Sequence, residues 1–168
     1  MTFKIPVSVL VVVHTEDLRV LLLERADRPA HWQSVTGSVD ALDELLATTA
    51  AREVREETGI DASIDGALID WNHTIEYTIY PHWRHRYARG VVNNTEHWFG
   101  LTLPADFPER NAVRVTPREH LQYAWLDYRT AASLCFSPSN AAAILELPAR
   151  CAISIPHPGP TPAPLSRA

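Results

Sequence analysis

The chain has 168 residues, 46% hydrophobic and 21% charged, enough apolar material for one domain core and too much for a disordered chain. Lys and Arg total 15 against 20 Asp and Glu, a formal charge of −5, which disfavours general binding to DNA or RNA backbones. Two cysteines, Cys135 and Cys151, are too few for a disulfide framework or a four-cysteine zinc site, and no apolar run approaches the ~18 residues a membrane span needs. With no signal-peptide pattern at the N-terminus, a soluble cytoplasmic protein is expected.

Residues 5–14 are rich in Val and predict a buried strand, and residues 19–24 (RVLLLE) predict a second that closes a hairpin across a turn at 15–17. Residues 32–39 (WQSVTGSV) read as a short strand running into a glycine loop. The one clear helix spans residues 43–58. Its Ala47, Ala50, Ala51 and Val54 fall at i, i+3, i+4 and i+7, one apolar stripe, and Gly59 is a natural left-handed stop. Strands are expected again at 67–70, 71–80 and 95–103, with a polar, basic and aromatic loop, PHWRHRYARGVVNN, between the last two. A last strand at 123–126 and helices at 128–134 and 140–147 follow. Beyond Cys151, prolines alternate from Pro156 to Pro164, so residues 1–151 read as one domain and 152–168 as a flexible tail. The sum is an α/β domain with a mixed sheet.

The stretch REVREETGI carries the most chemistry. At 100° per residue, Glu53, Glu56 and Glu57 share an arc of about 100° beside the apolar stripe, at the edge of the core. Like charges one turn apart cost roughly 0.2–0.5 kcal/mol each, so the arrangement calls for a cation. Oxygen-only ligands suit a hard divalent ion, Mg²⁺ or Mn²⁺. The bland alternative is a solvated acidic face with Arg52 and Arg55 as partners.

Upstream stand Gly37 and Glu44, and the whole reads G-x6-E-x7-R-E-V-x-E-E-x-G-I from Gly37 to Ile60. This resembles the Nudix box, G-x5-E-x7-R-E-U-x-E-E-x-G-U with U aliphatic, with one extra residue before the first acid. Glu44 keeps the spacing to Arg52; Asp43 would fill the first acid place only by moving the extra residue downstream. The resemblance implies an α/β/α sandwich with a mixed sheet and a loop–helix–loop box whose glutamates hold divalent ions. It makes Glu53 and Glu57 core metal ligands, Glu56 a further or water-bridged one, and Arg52 the residue that orients a glutamate.

A longer resemblance runs over residues 4–147. It is carried by WQSVTGS, by RHRY with the following NTEHWF, and by EHLQYAWL. These are similar to the bacterial dihydroneopterin triphosphate diphosphatases of folate synthesis. That likeness implies a further metal ligand at Glu119 and substrate contacts at Lys4, Arg25, Thr36, the strand Tyr77 to Tyr80, and Ser137. Lys4 and Arg25 make physical sense as phosphate partners, and Tyr77 and Tyr80 could flank a flat pterin. Each also has a plain structural reading: solvated cations, core aromatics, turn-capping hydroxyls. The basic loop reads equally as a positive rim or as a solvated hairpin end, and Cys135 as a small buried apolar residue. The expected reaction is metal-dependent attack of water on the triphosphate, giving dihydroneopterin monophosphate and pyrophosphate. Glu53 or Glu119 would accept the water's proton. Pterin and guanine share an amino-pyrimidinone edge, so a hydrolase of (d)GTP-like triphosphates is the nearest alternative. A non-catalytic ligand sensor on the same fold is a more distant one.

Overall fold

The computed structural model describes residues 3–153. Its order is β1 (Val7–Thr15), β2 (Arg19–Arg25), β3 (Trp32–Gln33), β4 (Val35–Ser38), α1 (Leu46–Thr58), β5 (Ala67–Thr78), a 3-10 turn (Pro81–Arg86), β6 (Asn93–Leu103), α2 (Phe107–Arg110), β7 (His120–Asp127), α3 (Tyr128–Leu134), α4 (Pro138–Leu145) and α5 (Leu147–Ile153). The expected tail from 152 lies, past Ile153, outside the described residues. No helix among the described residues is long and apolar enough to cross a membrane.

Every residue of β1 from Ser8 to Thr15 is buried, because β1 is the centre of a seven-stranded mixed sheet covered on both faces. Alternation along the strand divides the core in two. Val9, Val11 and Val13, with Leu21 and Leu23 of β2, face α1. Leu10 and Val12, with Val20 and Leu22, face the C-terminal helices through Ala131, Ala143, Ile144 and Leu147. The result is the expected α/β/α sandwich.

Register sets up the site. β1 runs parallel to β6 along its whole length. β1 and β2 meet at His14↔Val20, but the expected hairpin then forks. β4 pairs with β1 from Val11↔Val35 to Ser8↔Ser38, while β2 pairs with β3 and β7. The cause lies in the short WQSVT segment, which supplies a separate edge to each arm. Asn140 of α4 locks that segment, accepting from Ser34 N–H at 2.7 Å and donating to the Ser34 hydroxyl at 2.8 Å.

Helix α1 begins at Leu46, three residues later than expected. The Glu44 carboxylate is engaged in the preceding loop, where it accepts from Asp40 N–H at 2.6 Å. The stripe facing the sheet starts at Leu46 and continues through Ala50 and Val54 with Ala51 beside it; Ala47 is exposed. Leu46 supplies the larger apolar side chain in the first turn, and it takes the place assigned to Ala47. Gly59 ends the helix at φ +75°, its N–H bonded to Arg55 O.

The two strands expected at 67–70 and 71–80 are one, β5, with a register shift between Asp70 and His73. Asn72 takes φ +49° there and its N–H bonds the Asp70 carboxylate. This is a local irregularity that turns Trp71 into the core without ending the strand. β7 starts at His120 rather than 123, and the last helical stretch divides into α4 and α5 at Glu146. Helix α2 is a single turn with proline near its start and had no periodicity to reveal it.

Candidate active site

The acidic arc of α1 lies against β4. An ideal Cβ on Gly37 would fall 1.8 Å from Glu53 Cδ and 2.0 Å from its Oε1, so any side chain at that position would push Glu53 out of its place. Arg52 gathers the neighbouring oxygens. Its NH1 donates to Glu53 Oε1 at 2.8 Å, its Nε to Glu44 Oε1 at 3.3 Å and its NH2 to Ser38 O at 3.0 Å. Glu44, and not the exposed Asp43, therefore holds the first acid place, and the extra residue is absorbed in the loop before α1. Glu56 sits at the outer edge of the arc. Its side chain is 60% exposed, and Oε2 lies 3.5 Å from Arg52 NH1.

Glu57 is buried. Its Oε2 has no hydrogen-bond partner among the described residues. Burial, reinforced by Glu53 and Glu119, pushes its carboxyl well above the usual carboxylate range. Burial likewise raises Glu53 to about 7, against the pull of Arg52. Glu119 comes from the turn before β7, and a bulge aims it. Gln122 pairs with Glu24, but the next pair is His120 with Arg25. This breaks the alternation, leaves Leu121 exposed and buries His120. Ala26 N–H bonds Glu119 O at 2.8 Å and fixes the turn.

Glu57, Glu119 and His120 thereby bring ligand atoms within 4.8 Å of one another. His120 Nε2 is 4.0 Å from Glu57 Oε2. Burial, with Arg25 nearby, lowers His120 to about 4, so at neutral pH it is an uncharged imidazole and no counter-ion for Glu57. A buried carboxylate with one oxygen open, next to a second carboxylate and a neutral imidazole, fits a divalent cation.

These shifts have a consequence for stability. Glu53 and Glu57 bind protons more tightly folded than unfolded, so their contribution is greatest at low pH and is lost as pH rises through the folded values. His120 has the opposite sign, its contribution lost as pH falls from 6.5 toward 4. Between pH 6.5 and 8 only the carboxylate effect remains. The metal-free protein should lose roughly 3–6 °C of Tm over that range. Glu53→Gln should flatten the slope, and saturating Mg²⁺ should remove it. A Tm in EDTA that is constant across the range would contradict the burial of these groups.

Beside the acids lies a cleft of about 480 Å³, set over the fork between β1 and β2. Lys4, Arg25, Thr36, Tyr77, Tyr80 and Ser137, all six of the substrate residues expected from sequence, line it. Lys4 stands between cleft and acids: burial and Arg86 lower its pKa, while Glu53, Glu119 and Glu57 act to raise it. Arg25 is held by Asp27 at 2.7 Å and Gln33 at 2.9 Å, with its guanidinium 4.7 Å from the Trp83 ring. Thr36 accepts from Gln33 Nε2 at 3.3 Å, and the Ser137 hydroxyl meets that of Ser139 at 3.0 Å.

The basic loop divides. Trp83, Arg86 and Tyr87 line the cleft, whereas Arg84 turns back to Ile79 O at 3.0 Å. Glu96, Phe136 and Ser139 also line it. Sequence reasoning passed over these three, and His120. Glu96 looked like a polar position of an ordinary strand and His120 like a polar neighbour of Glu119 ahead of the last strand, and only register shows which way they point. Cys135 is half-buried, and burial pushes its thiol up to about 12, which leaves no thiolate at neutral pH.

A profile described as NUDIX domain matches residues 4–147, nearly the whole described chain. The chain belongs to the Nudix family. This Nudix protein is 50% identical over 144 residues to the dihydroneopterin triphosphate diphosphatase of Escherichia coli K12, covering 84% of this chain and 91% of that protein. It is 41% identical over 146 residues to the enzyme of the same name from Haemophilus influenzae, covering 86% and 88%. The solved structure of the E. coli dihydroneopterin triphosphate pyrophosphohydrolase matches with a TM-score of 0.78 and 47% identity, covering 87% of this chain and 97% of that one. Family and fold are as expected from the box.

Proposed function

We propose that this Nudix hydrolase cleaves dihydroneopterin triphosphate to dihydroneopterin monophosphate and pyrophosphate, using Mg²⁺, with Mn²⁺ as a possible substitute. The observation that carries the reading is the junction of two features: a carboxylate cluster built round the buried Glu57, whose Oε2 has no partner among the described residues, and beside it a cleft lined by cations and aromatic side chains. The 50% identity to a named dihydroneopterin triphosphate diphosphatase supports the pterin.

Glu53, Glu56, Glu57 and Glu119 are assigned to the divalent ion. His120 adds a neutral nitrogen, tolerable to Mn²⁺ more than to Mg²⁺. When bound, the ion supplies the electrostatic stabilisation that cleavage of a phosphoanhydride needs. Water adds to phosphorus, the bridge to the leaving pyrophosphate breaks, and the water's proton passes to a carboxylate. Glu53 and Glu119 are the two carboxylates assigned to that task. Arg52 positions Glu53 through its 2.8 Å bond. Lys4 and Arg25 hold the phosphate chain, Thr36 and Ser137 offer hydroxyls, and Tyr77 and Tyr80 flank the pterin. Asp27 and Trp83 pre-set Arg25, which limits the side-chain entropy lost on binding.

The test is turnover of dihydroneopterin triphosphate and dGTP in Mg²⁺ with products identified, repeated in EDTA. A higher kcat/KM for the pterin and loss of both activities in EDTA are expected. A clear preference for dGTP would move the assignment to nucleoside triphosphates, and no release from either would point to a ligand sensor.

A further inference from the structure

Glu96 is a buried acid that the reaction above does not use. It lies on β6, in the middle of the sheet, paired with Ser8 of β1 on one side and Ile75 of β5 on the other. It is 5% exposed, yet it lines the cleft. Oε1 accepts from Trp98 Nε1 at 3.1 Å and from the Ser139 hydroxyl at 3.3 Å. No described residue donates to Oε2, and no Lys, Arg or His forms an ion pair with the carboxylate. Burial raises its pKa, and none of the acids of the α1 cluster contributes to that shift. Glu96 thus belongs to the α4 side of the cleft, where it is bonded to Ser139, whereas Lys4 answers to the acids of the α1 cluster. An acceptor oxygen that no protein group donates to, in a largely buried wall, gains from a ligand that supplies the donor.

We propose that Glu96 is the residue by which the cleft selects its heterocycle, its open oxygen accepting N–H donors from the 2-amino-4-oxopyrimidine edge common to pterins and guanine. This rests on the reading of the cleft as the heterocycle site, and it gives the cleft a direction: ring at Glu96, phosphates at Lys4 and the acids. The exocyclic amino group and the adjacent ring N–H of such a ligand are donors side by side, and a carboxylate is the side chain that accepts both. Gln, its oxygen kept by Trp98 and Ser139, would put its amino group in the open place, a donor facing donors.

The test uses dGMP and dIMP, which differ in the exocyclic amino group and have no phosphoanhydride to cleave. Their affinities in Mg²⁺ are read from tryptophan fluorescence, since Trp83 lines the cleft. The wild-type protein should bind dGMP at least about tenfold more tightly than dIMP. In Glu96→Gln the two affinities should converge to within about twofold, with that for dGMP falling further than that for dIMP. The wild-type comparison needs no variant and holds even if E96Q folds poorly. Equal wild-type affinities, saturable binding of neither compound, or a ratio unchanged in E96Q would overturn the proposal. Wild-type failure to turn over dihydroneopterin triphosphate, with base discrimination intact, would instead remove the proposed reaction and leave the role of Glu96 standing.

Discussion

Replacing Glu57 with Gln should lower kcat by about a thousandfold or more, an increase of at least about 4 kcal/mol in the barrier, while the fold survives. The two side chains have nearly the same shape, so packing against β4 and β7 is kept. What is lost is the negative charge on an oxygen that has no hydrogen-bond partner of its own. In the metal-free protein that charge is a liability, because it is buried and faces Glu53 and Glu119. The variant should therefore melt no lower than wild type in EDTA, and at pH 8 somewhat higher. Mg²⁺ should raise the wild-type Tm and leave that of E57Q almost unchanged. Turnover, circular dichroism and melting in EDTA and in Mg²⁺ check the set. Near-normal pyrophosphate release by E57Q would contradict the role given to this carboxylate.

Gly37→Ala should cost about a hundredfold in turnover although it adds only one methyl group and changes no charge. Gly37 does not have positive φ, so the backbone tolerates alanine. The conflict is with Glu53, whose Cδ lies 1.8 Å from where the methyl would be. The side chain must swing off β4 and away from the Arg52 bond that aims it. A displacement of an ångström in a catalytic group is enough for a loss of that size. The double variant with Glu53→Gln separates this from general damage. If the methyl acts through Glu53, G37A/E53Q should be no slower than E53Q alone. Losses that multiply would show that Gly37 matters for another reason.

What could be read from the linear chain follows from local spacing. Glu53, Glu56 and Glu57 share a helix face because 3.6 residues make a turn, and Gly59 stops that helix because it can take positive φ. The Val-rich run of β1 signalled a strand buried on both sides, and the motifs from Gly37 to Ile60 and around Glu119 pointed to the family. Tertiary pairing decided the rest. Spacing within α1 could not tell the buried Glu57 from the exposed Glu56, since that depends on where β4 and β7 lie. A one-residue bulge opposite Arg25 buries His120 and sets Glu119 beside the helix, and a bulge leaves no periodic trace. The fork of β1 and β2 opens the cleft, and the parallel pairing of β1 with β6 carries Glu96 into its wall. Sequence by itself determined which carboxylates the helix offers, because helix geometry acts over a few residues. Only the folded sheet decided which carboxylates lose their water and which side chains line the cleft, because desolvation depends on chain segments distant in sequence.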